Sequence, residues 1–534
     1  MIMTVLAFVV LGIYTASLLY ITVYCLLQFN LLYHYLRGRR LAQDEPVIPE
    51  DRLRERNGHA AAARVFMDSS VRCEADTDTA VISPPPPACP FVTVQLPIYN
   101  EYYVIGRLID AVAAFDYPKD RFEIHVLDDS TDETRALVAD KVDFYRARGF
   151  SIRQISREVR SGFKAGALRD GMREARGEFI AIFDADFVPS PDFLRRTLPH
   201  FADSRVGVVQ TRWEHLNESY NLITRLQALQ LNVHFTVEQV GRMQGEHLLQ
   251  FNGTAGVWRR KAIAAGGGWQ PDTLTEDLDL SVRSQLAGYR IRYLERVGSP
   301  AELPVDMNSF KSQQHRWMKG GAETARKLLP QVWRSGLSLG TKLHATVHLL
   351  ASSIFLFVFL CGLSSVPLLF FMQDLAAYGI GKDLFSLFLI GLLSVIVVYY
   401  VGNVHSAANR ESRYLSALLK FVVRFPVFLA LSMGLSLHNS VAVIQGYRRI
   451  KSPFVRTPKF NLQLVRDSLR SKKYLTGRLN WITVSEGLLS AYFLLAVVGA
   501  LYIGNPTFLV FHALLGLGFG AIFFYSVRDL GLVR

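Results

Sequence analysis

The sequence predicts an α/β domain with a parallel sheet, set among membrane-spanning helices. Three observations predict it. Short apolar runs alternate with helical patterns from Phe91 onward, which is the signature of strands joined by crossover helices. Acidic clusters follow two of these runs, Asp128-Asp129 after Phe122–Leu127 and Asp184-Ala185-Asp186 after Phe179–Phe183. Long apolar stretches lie on both sides of the region, and the mean hydropathy of the 534-residue chain is +0.19, above what a soluble protein of this size shows.

The elements follow in order. Val5–Leu32 is apolar, too long for a signal-peptide core and long enough to cross a bilayer of roughly 30 Å. With its basic flank Arg37, Arg39 and Arg40, it makes residues 1–40 a transmembrane helix. Residues 41–90 are charged and Ala-rich and end in Pro84–Pro87, so a mobile linker is expected. The catalytic domain is expected over 91–320. It opens with the strand Val92–Pro97, which ends at Tyr99-Asn100-Glu101, and a helix through Phe115. The strand Phe122–Leu127 and the helix Thr131–Arg148 come next, then the helix Lys164–Arg176 and the strand Phe179–Phe183. A helix over 219–240 places Leu222, Leu226, Leu229 and Val233 on one face.

Ala322–Trp333 sets Ala325, Leu328, Leu329 and Val332 against Arg326 and Lys327, so 321–341 is expected to lie in the membrane interface. Apolar spans at 345–371 and 384–402 form a transmembrane pair within 342–404, and spans at 485–503 and 507–526 form another within 485–534. The stretch 421–443 is apolar but carries Arg424, Pro426, His438 and Asn439. If it crossed, the basic run Arg448–Lys473 would lie outside, against the positive-inside rule. Residues 405–484 are therefore expected to hold a re-entrant or interfacial element and a cytosolic loop.

The net charge of +13 does not indicate nucleic acid. Basic residues cluster beside apolar segments, as anionic headgroups favour, and no basic–aromatic groove pattern is present. Cys25, Cys73, Cys89 and Cys361 have neither metal-site nor disulfide-framework spacing, which fits a reducing compartment.

The acidic clusters carry chemistry. Asp184 and Asp186 at a strand end can hold a divalent cation, Mg²⁺ or Mn²⁺, against the diphosphate of a glycosyl donor such as UDP-glucose or GDP-mannose. Asp128 and Asp129 end another strand, where Asp129 can accept hydrogen bonds from a nucleoside. Lys164 lies among small residues that allow close approach to phosphate. Asp277 is the candidate general base for an acceptor hydroxyl, and a single base with direct displacement inverts the anomeric centre. Thr275 as an N-cap would place Glu276 and Asp277 in a helix's first turn, a purely structural use of the same residues. In Gln313-Gln314-His315-Arg316-Trp317, Gln313 supplies an amide, Arg316 a cation for phosphate and Trp317 a face for a sugar ring. One such cluster could be a solvated turn. Four in order, beside a membrane, are hard to explain that way.

These residues resemble the membrane-bound processive synthases of glycosyltransferase family 2, the cellulose synthases and the cellulose-synthase-like mannan and glucan synthases with their bacterial relatives. The resemblance is carried by Thr93–Glu101, Val126–Asp132, Phe163–Leu168, Phe183–Phe187, Phe251–Gly256, Thr275–Leu280 and Gln313–Trp317, densely over 91–335. It implies a GT-A fold and inverting transfer to a polysaccharide end. Asp128 and Asp129, Lys164, Asp184, Asp186, Gln313, Arg316 and Trp317 would bind the donor, Asp277 would be the base, and Phe251, Asn252, Gly253 and Trp317 would shape the acceptor side. Phe454-Val455-Arg456-Thr457-Pro458-Lys459 resembles the gating loop of cellulose synthases, with Arg456 and Pro458 departing from the pattern. Thr457 and Lys459 would then meet the donor.

The expectation is a metal-dependent synthase that extends a β-linked, 1,4-type glucan or mannan and passes it through the bilayer. Its partners would be a nucleotide sugar, the growing polysaccharide and lipid, with no nucleic acid. A cytosolic catalytic domain on a bacterial plasma membrane is favoured over the Golgi. The enzymatic alternative transfers one sugar to a lipid such as ceramide or a polyprenyl phosphate; a non-enzymatic scaffold would have lost the acidic residues.

Overall fold

The computed structural model describes residues 2–44, 89–379, 383–405, 414–451, 455–462, 474 and 479–531. The expected linker therefore lies almost entirely outside the described residues, as does Cys73.

Seven strands form one sheet: β1 (Val92–Ile98), β2 (Phe122–Asp128), β3 (Ile152–Ile155), β4 (Phe179–Ile182), β5 (Val206–His215), β6 (Gly256–Arg259) and β7 (Arg290–Ala301), in the order β3-β2-β1-β4-β6-β5-β7. β1 pairs in parallel with β2 and β4, and β2 with β3. β5 and β7 are also parallel, whereas β6 runs antiparallel between β4 and β5, so the sheet is mixed rather than wholly parallel. β2 and β4 are buried along their whole length, as strands covered on both faces must be. In register, Ile98 lies beside Asp128 and Gln95 beside Ile182. The segments that continue β1, β2 and β4 thus leave the sheet at one edge, where Glu101, Asp129, Asp184 and Asp186 converge.

The crossover helices lie where hydrophobic periodicity places them, at Ile105–Ala113, Thr134–Arg146 and Phe163–Glu174. The long helix expected over 219–240 is interrupted. It begins at Leu222 behind an Asn221–Thr224 capping box, runs to Val233, widens into a π-helical turn at His234–Glu238, and resumes over Gln239–Gln244.

The Gln313–Trp317 box lies on a 28-residue helix, Met307–Arg334. Its apolar stripe was expected to face lipid. Instead Ala325, Leu328 and Val332 are fully buried among Leu278, Val282, Ala345 and Leu349, because the helix Leu339–Leu349 folds back over it.

Among the described residues five helices are long and apolar enough to cross a membrane: Met3–Arg39, Ala351–Met372, Tyr414–Gly434, Trp481–Tyr502 and Leu509–Leu530. The chain is a multi-pass membrane protein. The first helix continues to Asp44 and packs on the catalytic domain, where a Cβ on Gly241 would lie 2.4 Å from the Leu31 carbonyl oxygen. The stretch expected to be one element over 421–443 is two helices, Tyr414–Gly434 and Ser436–Tyr447. The first has the length of a span, and the pair touches neighbouring elements midway along its first helix and at the end of its second. Arg424 reaches Glu218 at 3.5 Å, and Arg326 donates to the Gly446 carbonyl at 2.7 Å.

The break between these helices lies against Leu509–Leu530. A Cβ on Gly518 would come 1.9 Å from the Ala430 carbonyl oxygen, and one on Gly434 would come 2.3 Å from the Gly518 carbonyl carbon. Two backbones in contact leave no room for a methyl group, as at small-residue crossings in membranes. Gly518→Ala or Gly434→Ala should therefore lower thermal stability in detergent by about 1–3 kcal/mol. Gly12→Ala, with open space around it, serves as the silent control in the same melting assay.

Candidate active site

The cleft at this sheet edge collects charge. Phe183 is buried in the core and Ala185 is nearly so, which leaves Asp184 and Asp186 to emerge on the cleft side. The Asp184 backbone N–H donates to Thr254 Oγ1 at 2.8 Å, fixing where the chain leaves β4. Lys164 Nζ stands 2.5 Å from Asp184 and 3.0 Å from the Gly253 carbonyl. It is the second residue of its helix, entered through left-handed Gly162 (φ 71°) and Phe163 (φ 48°). Lys459 Nζ stands 2.7 Å from Asp186 and also donates to the Glu302 carbonyl. Each carboxylate of the pair thus faces an ammonium group.

The two aspartates after β2 separate in role. Asp129 lines the cleft and is gripped by Arg157 through Nε at 3.0 Å and a second guanidinium nitrogen at 2.5 Å. Arg160 lies 3.8 Å from it and stacks over Tyr99 at 3.4 Å. Asp128 does not line the cleft. It is buried, accepting from the Ser130 N–H at 2.8 Å and Gln154 Nε2 at 2.7 Å, so it fastens the turn.

Asp277 is the second residue of the helix Glu276–Leu286. Thr275 does not cap this helix with its side chain; its hydroxyl pairs with Thr324 at 3.0 Å. Asp277 Oδ1 accepts from the Leu278 N–H at 2.8 Å. Its other oxygen faces Gly253, where φ is +81° and a Cβ would sit 3.0 Å away. Burial first, and then the charge of Glu276, push the Asp277 carboxyl up to about 7. A carboxyl tuned to neutrality and left open on one side suits proton transfer near physiological pH.

Gln313, Arg316, Trp317 and Asn252 line the same cleft. Phe251 does not: it is fully buried and packs edge-to-face on Trp258 at 5.4 Å, a core role. Thr457 accepts from Arg316 at 2.8 Å, and Thr457 and Lys459 are buried beneath the loop they belong to. Phe454 lies outside the described residues. The loop is anchored by buried Glu302, which accepts the Phe460 and Asn461 N–H groups at 2.9 and 3.0 Å.

Several residues at the cleft or on its lining carboxylates are given no role by the sequence. Glu101 is one; burial pushes its carboxyl up to about 8, against the pull of Arg456, whose Nε lies 3.4 Å away. Arg157, Arg160 and Arg456 are others. Glu101 closes the family-like run Thr93–Glu101 after a strand end, but nothing there sets it apart from its neighbours.

Asp184 and Asp186 fit a divalent cation held jointly with a ligand's phosphates. Hard carboxylate oxygens stand at positions already matched by cations. Among the described residues no group of three or more His, Cys, Asp or Glu side chains could hold a metal without such help.

Residues 93–264 match the model described as glycosyl transferase family 2, and residues 179–402 match glycosyl transferase family group 2. Among curated proteins, glucomannan 4-beta-mannosyltransferase 1 of Oryza sativa subsp. japonica is 42% identical over 263 residues, covering 48% of this chain and 50% of that one. Glucomannan 4-beta-mannosyltransferase 7 of Arabidopsis thaliana is 43% identical over 251 residues, covering 46% and 45%. The chain spans about half the length of these relatives. A solved mannosyltransferase of Pyrobaculum calidifontis, in complex with GDP-Man and Mn²⁺, aligns at a TM-score of 0.48 and 18% identity, covering 82% of this chain and 100% of that one. With its mostly parallel, mixed sheet and the family 2 match over 93–264, the domain has the α/β glycosyltransferase fold expected from the sequence.

The double contact from Arg157 sets the Asp129 carboxylate. Arg157→Ala should leave the buried Asp129 carboxylate without its double contact and lower thermal stability in detergent by about 1–3 kcal/mol, the scale of a lost charged hydrogen bond. Arg195→Ala, whose partner is exposed Asp116, should leave it unchanged.

Proposed function

We propose that the chain, which matches the family 2 model over residues 93–264 and the family group 2 model over 179–402, is an inverting, metal-dependent membrane mannosyltransferase that extends a β-1,4-linked glycan from GDP-mannose and passes it through its membrane segments. The observation that carries this reading is the near-neutral, half-open carboxyl of Asp277 in the same cleft as the cation-matched pair Asp184 and Asp186. The 4-beta-mannosyltransferase relatives support mannose as the sugar.

In this reading Asp129 accepts hydrogen bonds from the nucleoside, held in place by Arg157. Asp184 and Asp186 would hold Mg²⁺ or Mn²⁺, which when bound would neutralise charge on the leaving diphosphate. Lys164, Arg316 and Lys459 surround that diphosphate as fixed cations and strengthen their hold as it gains charge. Trp317 offers its ring face to the acceptor sugar. Asp277 takes the proton from the acceptor hydroxyl as that oxygen attacks the anomeric carbon opposite the diphosphate, so the configuration inverts. Gly253 keeps the base open: any side chain there would fill the space beside its free oxygen. Thr457 and Lys459 close the cleft from the far end of the chain, on the face that carries the catalytic domain.

The base must be ionised to act. With its carboxyl near 7, turnover should rise as pH increases through about 7 and fall below it. Asp277→Asn should lower kcat by about 10²–10⁴-fold and abolish that limb, with GDP binding within a few-fold. Near wild-type turnover in this variant would exclude Asp277 as the base. Excess chelator should stop transfer and Mg²⁺ or Mn²⁺ should restore it, while Asp186→Ala should weaken nucleotide binding. Full activity in chelator would remove the metal from the mechanism.

A further inference from the structure

A second part of the cleft wall comprises Trp213 and His215, from the end of β5, and Asn252. Three polar atoms here are buried with no hydrogen-bond partner among the described residues: Trp213 Nε1, His215 Nε2 and Asn252 Nδ2. Asn252 is only 9% exposed. A buried donor without a partner is costly, and such groups cluster where a ligand supplies what the protein lacks.

All three residues back onto one short segment. The Trp213 ring lies 5.0 Å from Phe235, and Asn232 hydrogen-bonds to His215. Asn252 Oδ1 meets His234 Nε2 at 3.1 Å. His234 opens the π-helical turn His234–Glu238, whose wider winding brings His234 Nδ1 within 2.9 Å of Glu238. Arg242, one turn further on, holds the same Glu238 oxygen at 3.3 Å. Arg242, Glu238, His234 and Asn252 thus form a row that runs from the interior to the cleft. Its end fixes the Asn252 amide, with Oδ1 on His234 and Nδ2 left without a partner in the cleft wall. Turns of this kind recur at functional sites.

We propose that Trp213 and His215 join Asn252, already expected on the acceptor side, in binding hydroxyls of the acceptor sugar, and that His234 and Glu238 are positioning residues that lock Asn252 for that contact. This rests on the glycan-acceptor reading given above. Two N–H donors and one imidazole nitrogen suit the ring and hydroxyl oxygens of a pyranose. Neither the Trp213 nor the Asn252 side chain hydrogen-bonds a cation that faces the diphosphate, whereas Lys459 lies close enough to act on His215, so the decisive variants are placed at Trp213 and at His234 behind Asn252.

The test is transfer from GDP-mannose to β-1,4-linked manno-oligosaccharides of defined length by purified full-length protein. His234→Ala should raise the KM for the oligosaccharide about tenfold, with kcat at saturating acceptor and the KM for GDP-mannose within about threefold. His234→Gln, whose amide can reach Asn252 Oδ1, should recover most of the loss. Trp213→Phe, which removes the N–H and keeps an aromatic ring, should raise the same KM. An unchanged acceptor KM in His234→Ala and Trp213→Phe would overturn the assignment. Parallel rises in donor and acceptor KM would also overturn it, by showing general loosening. If wild type ignores the oligosaccharide while still hydrolysing GDP-mannose, the glycan-acceptor reading fails and takes this assignment with it. If wild type uses it and the variants match wild type, this assignment alone fails.

Discussion

Too much negative charge is gathered in one cleft to stand without cations. Glu101, Asp129, Asp184, Asp186, Glu276 and Asp277 all line it. Burial raises the carboxyls of Glu101, Asp184, Glu276 and Asp277, the signature of anions short of water. The cations that compensate come from distant places: Arg157 and Lys164 from the loop and helix after β3, Arg316 from the long helix beyond the sheet, Arg456 and Lys459 from past the membrane segments. Electrostatic need draws the chain's remote parts together at the site. Removing one cation from such a set leaves buried charge uncompensated, which is far costlier than losing an exposed pair.

Of the seven strands, the pattern placed β1, β2 and β4, which read as continuous apolar runs, and did not place β3, β5, β6 or β7. β1, β2 and β4 fall within a residue or two of where the pattern places them. β6 was harder to see. It has four residues, and its antiparallel direction depends on pairing partners that local pattern does not encode. The π-helical turn at His234–Glu238 was invisible for a related reason: the apolar face of the helix continues through it. The amphipathic stripe at Ala325–Val332 was read correctly as a stripe, but its partner was another helix and not lipid. Hydrophobic periodicity tells which face is covered and is silent about what covers it.

In the cleft, the acidic clusters were legible because carboxylates after strands at one sheet edge have few structural uses. Within a cluster the division of labour was not. Asp128 and Asp129 differ by one position, yet one fastens a turn and the other faces the cleft. Phe251 and Asn252 part in the same way, one into the core and one to the wall. Alternation along an extended backbone sends neighbours to opposite sides, and the side that faces the site follows from the strand's surroundings. The arginines were missed because a single basic residue in a loop has no spacing to reveal it.

The first helix carries a consequence for the setting of the whole molecule. At 43 residues it is about 65 Å long, roughly twice the apolar depth of a bilayer, and it stays unbroken where it docks on Gly241. It works as a mast: one half is held by lipid, the other by the catalytic domain, with no hinge between. Bilayers of different thickness tilt such a helix by different amounts. The tilt cannot dissipate at the water boundary and reaches the packing around Gln239–Gln244, next to the turn that backs the cleft. A change in bilayer thickness would thereby be felt as a mechanical load on the packing behind the cleft.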